Sequence, residues 1–189
     1  DRTRLKTVRE TCFVFITIAL ILSGAFNAID RLARSLAGGE ILTGLVFVGF
    51  LPVGMLILNL PFSIYSTFVL EEKYDFNKTT PRTFALDILK SLMLSVLLGA
   101  PVLAAVIWLF GSTGDVAWLY CWGAVTAFQV FVLFIAPYVI LPIFNKFEPL
   151  EEGELRRAIS DYAAEQNFRM KGVYKMDGSR RSSKSNAFF

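Results

Sequence analysis

The sequence predicts an α-helical membrane protein: a polytopic bundle of four spanning helices, followed by the start of a small cytoplasmic α+β domain. Three observations carry this expectation. Hydrophobic residues make up 54% of the 189-residue chain and charged ones only 19%, against about half and about a quarter in soluble domains. The charges are gathered into a few blocks, and mean hydropathy is +0.54. Between those blocks lie four uncharged runs, each near or beyond the roughly 20 apolar residues that a crossing helix needs.

The first run covers residues 11–29 and follows Arg2, Arg4, Lys6 and Arg9. It is too long for a signal-peptide core and lacks a small-residue cleavage site. With Asp1 in place of a methionine, the start reads as trimmed. The second run covers residues 41–70, the third 91–114 and the fourth 116–145. The second and fourth exceed one straight crossing and are expected to tilt, kink or project. Pro52 and Pro61 interrupt the second, Pro101 the third, and Pro137 and Pro142 the fourth. Each removes a helix hydrogen bond. Asn59 and Gln129 place amides inside apolar runs, for interhelical hydrogen bonding or a functional intramembrane role. Ser95 and Gly99 form a small-xxx-small pair of the kind that packs helices.

Orientation follows from the basic residues. Seventeen of the 19 Lys and Arg fall before the first run, between the second and third, or after the fourth. Only Arg31 and Arg34 lie on the other side. The positive-inside rule puts the N-terminus, the loop at residues 71–90 and the tail in the cytoplasm. Asn77-Lys78-Thr79 fits a glycosylation pattern but then faces the wrong compartment. The net charge of +3 is a topological signal, and nucleic acid is not an expected partner. The chain has no histidine, so no mechanism can draw an imidazole from it. Cys12 and Cys121 sit at or inside apolar runs and read as core thiols.

Residues 147–189 read as the beginning of a second unit after the bundle at residues 1–146. A helix is expected near residues 151–166, with Leu155, Ala158, Ile159, Tyr162 and Ala163 forming an apolar stripe. Glu151, Glu152 and Glu154 suit the positive end of its dipole. Short strands are expected near residues 172–176 and 185–189, with Asp177-Gly178 as a turn signal. One helix and two strands bury too little to stand alone, so a longer protein is expected. The Arg180-Arg181-Ser182-Ser183-Lys184 cluster reads as a solvated turn near the membrane, with a lipid-headgroup or nucleic-acid patch as the alternative. Glu71 and Glu72 read as a solvated helix end, and Phe76 to Pro81 as a fixed turn capping the third span.

Two blocks of sequence are distinctive. One runs from Leu60 to Pro81 and contains Glu71-Glu72-Lys73-Tyr74-Asp75-Phe76-Asn77-Lys78-Thr79-Thr80-Pro81. The other is Leu141-Pro142-Ile143-Phe144-Asn145-Lys146-Phe147-Glu148-Pro149-Leu150, followed by Met176-Asp177-Gly178-Ser179-Arg180-Arg181-Ser182-Ser183-Lys184-Ser185-Asn186-Ala187-Phe188-Phe189. Together they resemble the integral-membrane zinc metallopeptidases of the CAAX prenyl protease 1 family, over nearly the whole chain.

The resemblance implies seven spans around a water-filled chamber, of which these four correspond to the second through fifth. It implies a zinc held by a His-Glu-x-x-His helix and a later glutamate. That helix is expected downstream of this sequence, so no catalytic residue and no metal ligand is assigned here, and the chain alone is expected to be inactive. The resemblance also assigns a substrate-binding strand to Asn186, Ala187 and Phe188, with which a peptide pairs as an added strand. Lys184 and Phe188 depart from the family, which often has histidine and tyrosine there.

The functional expectation is therefore the N-terminal, chamber-forming and substrate-docking part of a membrane zinc endopeptidase. Its substrates would be peptides or prenylated protein C-termini, and its partners the lipid bilayer and the C-terminal catalytic part. The alternative is a non-catalytic membrane scaffold or transporter subunit, which proline-broken helices and intramembrane Asn59 and Gln129 would suit. Short loops and compact spans favour a bacterial inner membrane over the endoplasmic reticulum.

Overall fold

The computed structural model describes residues 1–170 and 172–183. Helix α1 (Arg2–Leu22) is followed by α2 (Ala25–Leu36). Between them Gly24 takes φ of 69°, a left-handed conformation that costs glycine nothing, and the helices bend by 68°. The uncharged run at residues 11–29 therefore straddles two helices. Absence of charge marks what lipid tolerates, and it does not mark continuity of the backbone.

Helix α3 (Glu40–Tyr65) continues through a π-helical turn (Ser66–Leu70) and a 3-10 turn (Glu72–Tyr74). Helix α4 (Pro81–Ser112) begins ahead of the uncharged run, because Arg82, Asp87 and Lys90 cost little at a helix end that reaches water. Thr80 caps it: its Oγ1 accepts from the Thr83 amide at 3.2 Å, and Pro81 occupies the first turn, where no N–H is missed. Helix α5 (Ala117–Ile135) runs through a second π-helical turn (Ala136–Ile140), which contains Pro137, into the short α6 (Leu141–Phe144). Pro52 and Pro61 stay within α3 and Pro101 within α4.

Three of these stretches, Glu40–Tyr74, Pro81–Ser112 and Gly114–Phe144, are long and apolar enough to cross a membrane. The bent α1–α2 pair makes a fourth if counted as one span. The start of α1, the loop after α3 and the tail meet at one end. Arg2 pairs with Glu71, while Lys73 Nζ and Tyr74 Oη both donate to Asp1 Oδ2 at 3.1 Å. The three basic segments thus share an end, and α2 stands at the other end of α3. There Thr43 Oγ1 donates to the Ala37 carbonyl at 3.4 Å.

Side-chain packing along the spans is sparse. The few buried apolar residues are small or isolated, such as Ala33, Ala117 and Cys121. Helices α3 and α4 approach closely at Gly44, where a Cβ would lie 2.5 Å from Ile107 Cδ1. Most other apolar side chains face outward or into a cavity, as expected where lipid is the solvent.

After α6 the chain forms β1 (Phe147–Pro149), then α7 (Glu154–Glu165), then β2 (Tyr174–Met176). The strands pair antiparallel, with Phe147 opposite Met176 and Pro149 opposite Tyr174. Strand β1 was not expected from the sequence. Along the α7 stripe Ala163 is buried, but Leu155 and Tyr162 are exposed. The strand expected near residues 185–189 lies outside the described residues.

Candidate functional site

The conspicuous cavity is formed by α3, α4 and α5, with a volume of about 1370 Å³. Its wall is largely apolar and includes Leu45, Val46, Leu56, Leu92 and Leu103. Gln129, Ser91, Ser95 and Thr67 add polar groups. Ser95 and Gly99 both face this space, and a Cβ on Gly99 would meet nothing within 4 Å. The packing role expected for this pair is thus not what the helices do with it. Nor does the expected interhelical bonding reach Asn59 Oδ1, which is buried without a hydrogen-bond partner among the described residues.

The mouth of the cavity carries charge. Arg2, Glu71, Asp87 and Arg181 all line it. Arg181 is the organising group. Its Nε and Nη2 grip the two oxygens of Asp87 at 2.7 and 2.9 Å. Its Nη1 donates to Asn145 Oδ1 at 2.9 Å, and Nη2 also donates to the Phe144 carbonyl at 2.7 Å. One guanidinium thereby joins the start of α4, the end of α6 and the tail. This forked geometry is one that arginine supports and lysine does not. Asp87 holds the Arg181 proton above its ordinary value. The expected solvated turn is therefore a fastened one. The partner lies 94 positions away, so no local pattern revealed it.

The backbone is fastened as well. The Arg181 carbonyl accepts from the Lys78 amide and from Thr79 Oγ1, both at 3.1 Å. The Ser183 amide donates to the Phe76 carbonyl at 3.1 Å, and Ser183 Oγ to the Asp75 carbonyl at 3.0 Å. Asn77 and Ser182 form an antiparallel bridge. Residues 181–183 are in effect laid as a strand along the loop after α3.

Upstream, Asp177 anchors the turn. Its Oδ1 accepts from the Lys146 amide at 2.8 Å and its own amide donates to the Lys146 carbonyl at 3.1 Å. Partial burial opposes ionisation of Asp177. The Lys146 N–H and the Arg180 guanidinium outweigh that and hold its carboxyl below the usual carboxylate range.

Both distinctive sequence blocks therefore converge at one junction. Glu72 is exposed, as expected of a solvated helix end, and accepts from Asn77 Nδ2 at 2.9 Å, while Glu71 is partly shielded and pairs with Arg2. The turn from Phe76 to Pro81 does cap α4. Asn186, Ala187 and Phe188 lie outside the described residues, as does Lys184. The described chain that leads to them is the segment stapled by Arg181.

Among the described residues no three His, Cys, Asp or Glu side chains converge to hold a metal. With no histidine in the chain, the residues present do not fit the zinc site that the family resemblance implies, and no chemical step is routed through zinc here.

Comparison with known proteins agrees with the two sequence blocks. Residues 1–146 match the family model described as CAAX prenyl protease N-terminal, five membrane helices. A CAAX prenyl protease 1 homolog from Oryza sativa is 45% identical over 152 residues, covering 80% of this chain and 36% of that protein. A probable CAAX prenyl protease 1 from Schizosaccharomyces pombe is 42% identical, covering all of this chain and 43% of that protein. The crystal structure of S. mikatae Ste24p superimposes with a TM-score of 0.92 at 32% identity, covering all of this chain and 45% of that one. The chain thus spans less than half the length of these relatives.

The relatives come from plants, yeasts and animals, which overturns the expectation of a bacterial inner membrane. That expectation rested on short loops, and loop length reflects how neighbouring spans are joined, whatever the cell. The match across residues 1–146, the full-length superposition and the convergence of both sequence blocks agree: this chain belongs to the CAAX prenyl protease family and corresponds to its N-terminal membrane part.

Proposed function

We propose that this chain forms the chamber wall and the substrate-docking edge of a membrane endopeptidase that acts on peptides or prenylated protein C-termini. The observation that carries this reading is the pairing of a large, mostly apolar cavity with a charged mouth where the tail is fastened. An apolar wall suits a lipid chain or apolar side chains. A fastened edge leading into Asn186, Ala187 and Phe188 suits a peptide added as a strand, whose main-chain hydrogen bonds give sequence-tolerant affinity. Zinc, the C-terminal catalytic part and the lipid bilayer are the partners this function requires. Zinc would come from ligands that this stretch does not hold.

The reading is tested in the full-length protein with a prenylated peptide carrying a photo-crosslinker on its lipid chain. Crosslinks are expected at cavity positions such as Val46 and Gln129. Labelling confined to outward positions such as Leu97 and Leu133 would remove the docking role and leave the scaffold or transporter alternative.

A further inference from the structure

We infer that α2 is an interfacial helix that lies flat on the membrane face opposite the cavity mouth, with Leu32 and Leu36 in the acyl region and Arg31 at the lipid phosphates. This end of the bundle is remote from the cavity mouth, and nothing here rests on the docking role proposed above.

The two sides of α2 differ in kind. At about 100° per residue, Ala28, Leu32 and Leu36 fall close to one line, with Ala25, Ile29, Ala33 and Phe26 beside them. Asn27, Asp30, Arg31 and Arg34 fill the opposite arc. Protein covers part of the apolar side: α2 packs on α3, Ala33 is buried and Ile29 is half-buried. Leu32 and Leu36 remain 48% and 65% exposed. Ser35 is the polar residue nearest to that strip, and its hydroxyl already donates to the Leu32 carbonyl at 2.7 Å. It can therefore enter an apolar layer without an unmet donor. On the polar side Arg34 Nε donates to Asp30 Oδ2 at 2.8 Å. That pair is neutral, which leaves Arg31 as the net charge of the helix. Its long stem lets the guanidinium reach headgroups while the strip stays below.

Depth decides what covers the strip. Arg2 and Asp87 both line the cavity mouth, which gives α1 and α4 a common level. From Asp87 to the end of α4 at Ser112 is about 37 Å, and from Arg2 to the end of α1 at Leu22 about 30 Å. After the 68° bend, α2 is about 18 Å long but advances only about 7 Å along the axis of α1. It therefore lies at the level where α4 ends. All three tryptophans of the chain, Trp108, Trp118 and Trp122, stand exposed at that same level, in the last turns of α4 and the first turns of α5. Tryptophan gathers where bilayer meets water. The charges of α2 exclude it from the hydrocarbon interior, and its apolar strip disfavours open water. A lipid surface suits both sides at once, since such a helix sinks its apolar face about 5–10 Å into the headgroup boundary. Gly24 and Gly39, with φ of 69° and 83°, turn the chain into and out of this layer.

The test uses the full-length protein in phosphatidylcholine vesicles, with native cysteines replaced by serine and one spin label at a time. Oxygen, which concentrates in the acyl region, and a water-soluble nickel chelate report the surroundings of each label. Labels at Leu32→Cys and Leu36→Cys are expected to favour oxygen over nickel about threefold more than labels at Asn27→Cys and Arg31→Cys. They are also expected to lie shallower than a label at Leu97→Cys in the middle of α4. Nickel access at all four α2 positions overturns the inference, because α2 then stands in water. Exclusion of both reagents from Leu32→Cys and Leu36→Cys overturns it too, because another part of the protein or a second copy then covers the strip. A depth equal to that of Leu97→Cys overturns it as well, because α2 is then the far half of a broken span. Should one label prevent folding, Ala28→Cys on the same line replaces it, with the same expectation.

Discussion

The membrane spans and the junction at their end are built on opposite principles. Along α3, α4 and α5 almost no side chain is buried within the described chain, and the helices line a cavity of about 1370 Å³. At the junction, loop, helix ends and tail are joined by directed polar contacts over sequence separations of up to 108 positions. Lipid can solvate an apolar side chain, so a span tolerates loose packing. It cannot solvate an unpaired backbone group, so each span satisfies its own backbone as a helix. Position is then left to the ends. Where hydrophobic burial gives no unique arrangement, hydrogen bonds with fixed geometry supply one.

The largest expected effect separates the two regions directly. Arg181→Ala leaves Asp87 in a shielded site without its partner, at a cost between an exposed pair and a fully buried one, about 2–3 kcal/mol. Hydrogen exchange at the Lys78 and Ser183 amides should quicken by about a hundredfold, while amides in the middle of α3 and α4 keep their protection. Uniform loss of protection across both regions would mean that the junction and the spans are one cooperative unit.

Within the spans, Gly44→Val should force α3 from α4 at Ile107 and cost about 1–3 kcal/mol by overpacking, read as a lower unfolding midpoint in detergent. Removing the cap of α4 with Thr80→Ala should cost about 1 kcal/mol, read in the same assay. Gly99→Ala, which faces open space, should change the midpoint by less than about 0.5 kcal/mol. A large loss there would show that the cavity wall is packed tightly in the membrane.

The smallest effect concerns pH. Asp177 has a depressed folded pKa, so its contribution is present at neutral pH and above the ordinary carboxylate value of about 4. It fades as pH falls through the lower folded value. The Lys146 amide, which donates to Asp177, should keep its exchange protection at pH 6 after correction for the intrinsic rate. It should lose protection only in stronger acid, and Asp177→Asn should flatten that dependence.

These contrasts also explain what could be read from the sequence. The spans were legible because lipid imposes a composition rule over about 20 residues. The bend at Gly24 was not, since a glycine in an apolar run serves packing as readily as it serves a break. The cap at Thr80 was legible because threonine before proline at a helix start is a local signal. Strand β1 was missed because three residues ending in Pro149 carry no strand pattern. Arg181 was misread as solvated because its role depends on Asp87, which lies in another element and shows no spacing relation to it. The docking role proposed for Asn186, Ala187 and Phe188 came from family resemblance, and no periodicity in those residues would have supplied it.

The two π-helical turns at Ser66–Leu70 and Ala136–Ile140 bear on how such a chain tolerates insertion and deletion. A π turn accommodates one residue more than the α-helical turn it replaces, and each α-helical residue advances the face by about 100°. Each turn therefore acts as a set-screw between a membrane span and the junction beyond it. Deleting a single residue at 136–140 would let α5 continue as an ordinary helix with Asn145 still facing Arg181, whereas deleting one within Ala117–Ile135 would rotate Asn145 by about a quarter-turn away from it. An alignment gap belongs in this turn; the same gap placed earlier in α5 would look equally harmless in a hydropathy plot while misdirecting every residue after it.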